Sequence, residues 1–191
     1  KGDEDFKPLR VPLNITLVID HSGSMAGEKL ENVKEAAINL FYRLAPDDIF
    51  SLVLFENKVT PLIPPAKVSQ QKNAVSVINN IQSAGMTFFS GGYEQGFQYA
   101  LQNNNTEFVS RIIILSDGLA NVGITSRHQL GDIAAGYLNS GVSTSTIGVG
   151  YDYDEDLLVL LSESGNGNSY YIENPADIES VFTEELSYLT D

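Results

Sequence analysis

The sequence predicts a doubly wound α/β fold, and three observations carry that expectation. Short apolar, β-branched runs recur along the 191 residues. Stretches with helical spacing alternate with those runs, and turns rich in glycine, asparagine and aspartate separate the two. Alternation of this kind implies a mostly parallel sheet with helices packed on both faces. We expect about six strands, one of them an antiparallel edge strand.

The elements follow in order. Residues 1–12 carry charges and two prolines and read as a lead-in or edge segment, with one domain over 13–191. Asn14 to Asp20 is a short run without polar alternation, as in a strand buried on both faces. Residues 28–44 place Leu30, Val33, Ala37, Leu40, Phe41 and Leu44 on one helical face, and Ala45-Pro-Asp-Asp48 breaks the pattern. Ile49 to Phe55 is the second strand. Val59 to Ile63 follows through a tight turn at 56–58, which can join only antiparallel neighbours. Ser69 to Ser83 reads as a helix, residues 84–92 as a loop, and Tyr93 to Gln102 as a helix. Phe108 to Ser116 contains the strand centred on Ile112 to Leu115, and residues 117–123 form a loop. Ser126 to Leu138 is a helix capped by Ser126 and stopped near Gly141. Val142 to Val149 is a strand, Asp154 to Ser164 a helix, Gly165 to Asn168 a turn, and Ser169 to Ile172 a short strand. Pro175 to Leu189 is the last helix, with proline at its start.

Composition narrows the function classes. With 25 Asp and Glu against 11 Lys and Arg, the formal charge is −14. A field of that sign repels phosphate backbones and anionic lipid, which argues against nucleic-acid binding, and it attracts cations. The absence of cysteine excludes disulfides and thiolate metal sites, and two histidines are too few for a multi-histidine centre. No apolar run approaches the length needed to cross a bilayer. The chain starts Lys1-Gly-Asp-Glu-Asp5 without an initiator methionine, which reads as a piece of a longer protein.

In an open α/β sheet, ligands bind beyond the carboxyl ends of the strands. The first strand leads into Asp20-His-Ser-Gly-Ser24, and the strand ending at Ser116 leads into Asp117-Gly118. The loop holding Thr87 enters a helix on that same edge. Asp20, Ser22, Ser24, Thr87 and Asp117 all offer oxygen, the donor that hard divalent cations prefer; magnesium takes six in near-octahedral order.

Those three loops carry a resemblance. Asp20-His-Ser-Gly-Ser24-Met resembles the Asp-x-Ser-x-Ser signature of the von Willebrand factor A domain, the I-domain of integrins. Gly85-Met-Thr87 followed by Ser90-Gly-Gly resembles that family's Gly-x-Thr loop, and Ile112 to Asp117-Gly resembles its buried strand ending in Asp-Gly. Thr146-Ile-Gly-Val-Gly150 is similar to its next strand. The likeness runs in order over residues 11–189, within a bacterial-type branch that is also similar to inter-α-trypsin-inhibitor and calcium-channel-subunit domains. It implies a Rossmann-like sheet and a metal-ion-dependent adhesion site. In that site Ser22 and Ser24 bind the ion directly, Thr87 binds directly in the ligand-competent state, and Asp20 and Asp117 act through water. The implied ion is Mg2+, with Mn2+ or Ca2+ as substitutes. Neutral hydroxyls leave the ion most of its charge, so it favours a carboxylate from a partner's Asp or Glu. The implied function is metal-dependent protein binding, as in cell adhesion, by an extracytoplasmic, non-enzymatic domain of an exported or membrane-anchored protein; the sequence leaves the oligomeric state open, and a monomer is the simplest expectation. In integrin-type members the last helix shifts on ligand binding; here that helix is 175–189.

Other readings are weaker. A scaffold role within a larger protein, with the site gripping another part of the same chain, stays open beside adhesion. A Mg2+-dependent hydrolase is a remote alternative, since an acid or second carboxylate is missing where Ser22 stands. Asp20-His21-Ser22 holds triad residue types, but adjacent residues cannot converge as a triad does. His21 reads as a solvent-exposed loop residue. Asp152, Asp154, Asp156 and Glu163 match calcium-loop spacing, but Leu157 stands where such a loop needs glycine, so the acids read as the start of a helix.

Overall fold

In the computed structural model, which describes residues 10–174 and 176–190, every residue of β1 (Leu13–Asp20) is buried. The cause is its central place in a six-stranded sheet. β2 (Ile49–Phe55) and β4 (Val109–Ser116) flank it in parallel, and the full order is β3-β2-β1-β4-β5-β6. β5 (Val142–Val149) and β6 (Asn166–Ile172) continue the parallel pairing, whereas β3 (Val59–Lys67) runs antiparallel to β2 at the edge. The predicted architecture of six strands with one antiparallel edge is the one observed.

Helices cover both faces. α1 (Glu28–Arg43), α2 (Ala74–Asn79) and α6 (Ala176–Thr190) pack on Leu13, Ile15, Leu17 and Ile19, the odd positions of β1. α3 (Phe89–Leu101), α4 (Arg127–Asn139) and α5 (Glu155–Ser164) pack on the opposite face with Val18, Val53, Ile112 and Ile114. Strand periodicity of two therefore divides the apolar residues between two cores.

Four boundaries depart from the sequence expectation. β3 extends to Lys67 instead of Ile63, although Pro61, Pro64 and Pro65 lie within it. An edge strand tolerates proline because its outer N–H groups need no partner, and the β2–β3 ladder shifts register between Phe50 and Val53. The helix expected over 69–83 is reduced to a 3-10 turn at Val68–Gln70 and the six residues of α2. Its expected last turn never closes: Ile81 stays buried, and the Ala84 N–H donates to His21 O at 2.8 Å. α3 begins at Phe89, four residues early. Gly92, which suggested a loop, sits inside the helix because a Cβ there would lie 2.5 Å from the Phe55 ring. β6 starts at Asn166, inside the expected turn. Residues 1–9 of the lead-in and Pro175 of the last helix lie outside the described residues.

One buried polar network joins α6 to the sheet. Glu185 is fully buried and accepts from Arg111 Nη1 at 2.7 Å, Tyr170 OH at 2.8 Å and Asn168 Nδ2 at 3.1 Å. Arg111 also donates to Ser143 Oγ and Ser145 Oγ, each at 3.0 Å. The charge of each partner is thus balanced and hydrogen-bonded, the condition under which buried ions persist. Beside Glu185, the Tyr170 hydroxyl is driven well above its usual range, by burial first and by that carboxylate next.

Candidate functional site

The strand order reverses at β1: β2 lies on one side and β4 on the other. Side chains at the carboxyl ends of β1 and β4 consequently face one crevice, the usual ligand position of an open α/β sheet. Asp20 ends β1, and Asp117 follows the last residue of β4. Both side chains are inaccessible to solvent, as is Ser22. Sequence reasoning placed these residues on one edge, and the structure brings them together.

Hydrogen bonds fix each loop. Asp20 Oδ1 accepts from the Ser22 N–H at 2.9 Å, and Oδ2 accepts from Ser116 Oγ at 2.8 Å. Ser116 Oγ in turn accepts from the Gly118 N–H at 2.8 Å, so one hydroxyl ties the end of β1 to the Asp117 turn. Ser22 Oγ and Ser24 Oγ stand 3.1 Å apart, with the chain turned through a short 3-10 segment at Gly23–Met25. Gly23 N–H donates to Gly85 O at 2.9 Å, which seats the Thr87 loop against the first. Thr87 is buried, and its N–H donates to Asn121 Oδ1 at 2.7 Å. The N–H groups of Asn121 and Val122 both donate back to Thr87 O. The three loops form one hydrogen-bonded unit.

The electrostatics are those of a site with excess negative charge. Burial, with a smaller push from the Asp117 carboxylate, raises the Asp20 carboxyl from 3.8 to about 6 against the lowering effect of its hydrogen bonds to Ser22 and Ser116. Asp117 Oδ1 accepts from the Leu119 N–H at 3.2 Å, and Oδ2 lies 3.5 Å from Lys29 Nζ. Among the described residues, no three His, Cys, Asp or Glu side chains form a metal cage. The donor set is instead two carboxylates with three hydroxyls, all oxygen. Ser22 and Ser24 hydroxyls turned toward each other, beside two buried acids, suit a hard divalent cation.

Sequence reasoning missed Ser116, Asn121 and Lys29. In the sequence Ser116 is only the end of a strand, and Asn121 only part of a loop. A signal existed for Lys29: a cation in the first turn of a helix runs against the helix dipole and so implies a local anion. The neighbouring side chains divide sharply. Met25 and Phe89 are core, Phe88 is half-buried, and Met86 and Leu119 are exposed. His21 is half-buried, not exposed as expected, because its Nδ1 bonds Gln82 O at 2.8 Å. The acids at 152–156 open α5, where Asp154 caps the helix by accepting from the Leu157 N–H at 3.1 Å.

Comparison with known proteins agrees with this geometry. Residues 14–184 match the family described as von Willebrand factor type A domain. The uncharacterized protein sll0103 of Synechocystis is 34% identical over 176 residues, which cover 92% of this chain and 41% of that protein. The chain spans less than half the length of the curated relatives it matches. Among solved structures, the conserved hypothetical protein BatB from Bacteroides thetaiotaomicron superposes with a TM-score of 0.78 at 15% identity, covering 93% of this chain and 98% of BatB. The manganese-loaded TRAP protein of Plasmodium vivax superposes with a TM-score of 0.70 at 18% identity, over 90% of this chain and 72% of TRAP.

Proposed function

This chain belongs to the von Willebrand factor type A family, whose domains are typically adhesion or protein-interaction modules, and we propose that it binds a protein partner through a divalent ion. Asp20, Ser22, Ser24, Thr87 and Asp117 would hold the ion. What supports the reading is that these five oxygen-bearing residues stand on three mutually bonded loops at the crevice beside β1 and β4. When bound, the ion supplies a positive centre that can accept a carboxylate from a partner's Asp or Glu. The chain's own residues do the rest. Ser116 and the Ser22 N–H hold Asp20 so that its charge faces the site, and Asn121 holds the Thr87 backbone in place. Exposed Met86 and Leu119 stand on the Thr87 and Asp117 loops, where a docked surface would meet them.

Mg2+ is the proposed ion, with Mn2+ or Ca2+ able to replace it; a relative solved manganese-loaded supports a divalent cation in this fold. The domain acts without catalysis in this reading. We place it outside the cytoplasm, in keeping with a fold neighbour described as an aerotolerance-related membrane protein. Among the described residues no helix is long and apolar enough to cross a membrane.

Thermal melts in EDTA and in Mg2+, Mn2+ and Ca2+ test the reading, for wild type and Ser22→Ala. An ion present at 100 times its dissociation constant stabilises the folded state by about 2.7 kcal/mol, equivalent to about 5–10 °C for a domain this size. We expect that shift in wild type and its loss in Ser22→Ala. Equal melts in EDTA and in every ion would refute the proposal.

A further inference from the structure

Lys29 occupies a position that the fold has shaped for it. It lies in the first turn of α1, where the dipole disfavours a cation. Its ammonium nevertheless reaches across to Asp117 Oδ2 at 3.5 Å, from a side chain 27% exposed to a carboxylate with no exposure. The path passes over Gly150, which has φ 84° and no side chain. The positive φ itself favours glycine there, and a Cβ at Gly150 would meet Lys29 Cε along the present course of the stem. Asp20 and Asp117 together bring two negative charges to the site when ionised, and Lys29 is the cation within ion-pair distance of either among the described residues.

We infer that Lys29 is a tethered counter-ion: it neutralises Asp117 while no divalent ion is present and is displaced from that carboxylate when one binds. This rests on the metal-site reading above. The charge count makes the role twofold. A divalent ion with two ionised carboxylates is neutral overall, and Lys29 makes the loaded site positive by one. The lysine therefore weakens ion binding by repulsion and competition, while strengthening the attraction of the loaded site for an incoming carboxylate. The four-carbon stem, partly exposed, permits the swing that a rigid guanidinium fork would resist.

The test uses the ion alone as probe, with Mn2+ affinity measured by calorimetry for wild type, Lys29→Met and Lys29→Arg. Lys29→Met keeps the stem and removes the charge. It is expected to bind Mn2+ roughly tenfold more tightly, the scale of one charge acting through partly solvated surroundings. Lys29→Arg, which keeps the charge and resists the swing, should bind Mn2+ no more tightly than wild type. Melts in EDTA should move the other way, with Lys29→Met melting below wild type because buried Asp117 has lost its partner. A Mg2+ titration followed at the Lys29 side-chain nitrogen by NMR should show that resonance shifting as the site fills. Unchanged or weaker Mn2+ binding in Lys29→Met, beside normal binding in wild type, overturns the inference and leaves the metal site standing. A wild type that binds no ion overturns both.

Discussion

Replacing Asp20 by Asn should stabilise the metal-free domain at neutral pH while removing its response to ions. The Asp20 carboxyl is held at about 6 in the fold against 3.8 outside it, chiefly by burial. That difference corresponds to about 3 kcal/mol of disfavour for the charged form above pH 6. The sign follows from proton counts: between pH 4 and 6 the folded state keeps a proton that the unfolded state has lost. Stability from this group is therefore greatest below about pH 4, falls as pH rises through 6, and is flat above that. Asn carries no charge, but it can accept only one of the two hydrogen bonds from Ser22 and Ser116, a loss of about 1 kcal/mol. The net gain at pH 7.5 in EDTA is about 1–2 kcal/mol, or roughly 2–8 °C in melting temperature. Calorimetric melts in EDTA at pH 5 and pH 7.5 check this, with the gap between variant and wild type expected to widen at the higher pH. A variant that melts below wild type at pH 7.5, or a gap independent of pH, would refute the reasoning.

Three further outcomes follow from the same geometry. Proton and ion compete for Asp20, so Mn2+ affinity measured by calorimetry should weaken as pH falls through about 6 and level off above it. Glu185→Ala strands buried Arg111 and removes the acceptor shared by Tyr170 and Asn168; denaturant unfolding should report a loss of about 3–5 kcal/mol. Asn121→Ala removes the acceptor for the Thr87 N–H, so ion affinity in a thermal titration should drop severalfold, and Asn121→Asp should restore most of it.

Much of the fold could be read from the chain because its central strands are buried on both faces. Ile49–Phe55 and Val142–Val149 have the bounds expected from their apolar, β-branched runs. Such runs need no partner information to recognise. The misread segments depend on what lies across from them. β3 runs past the expected end at Ile63 through Pro64 and Pro65, because an edge strand asks little of its outer N–H groups. Gly91 and Gly92 look like loop in the sequence, and the Phe88 and Phe55 rings packed against them explain small residues in that helix. The site divides the same way. Asp20, Ser22, Ser24 and Asp117 are visible as oxygen-bearing residues at or after strand ends, and Thr87 as one in a loop entering a helix. The supporting contacts span long sequence separations, from Asp20 to Ser116, Thr87 to Asn121 and Lys29 to Asp117. No local pattern marks such pairs.

The central claim is that one divalent ion sits among the five oxygen-bearing side chains of these three loops. Anomalous diffraction from crystals grown with Mn2+ tests it most directly. The account predicts a single strong manganese peak bounded by Ser22, Ser24 and Thr87, with Asp20 and Asp117 beneath it. A peak elsewhere on the acidic surface, or none at saturating Mn2+, would contradict it.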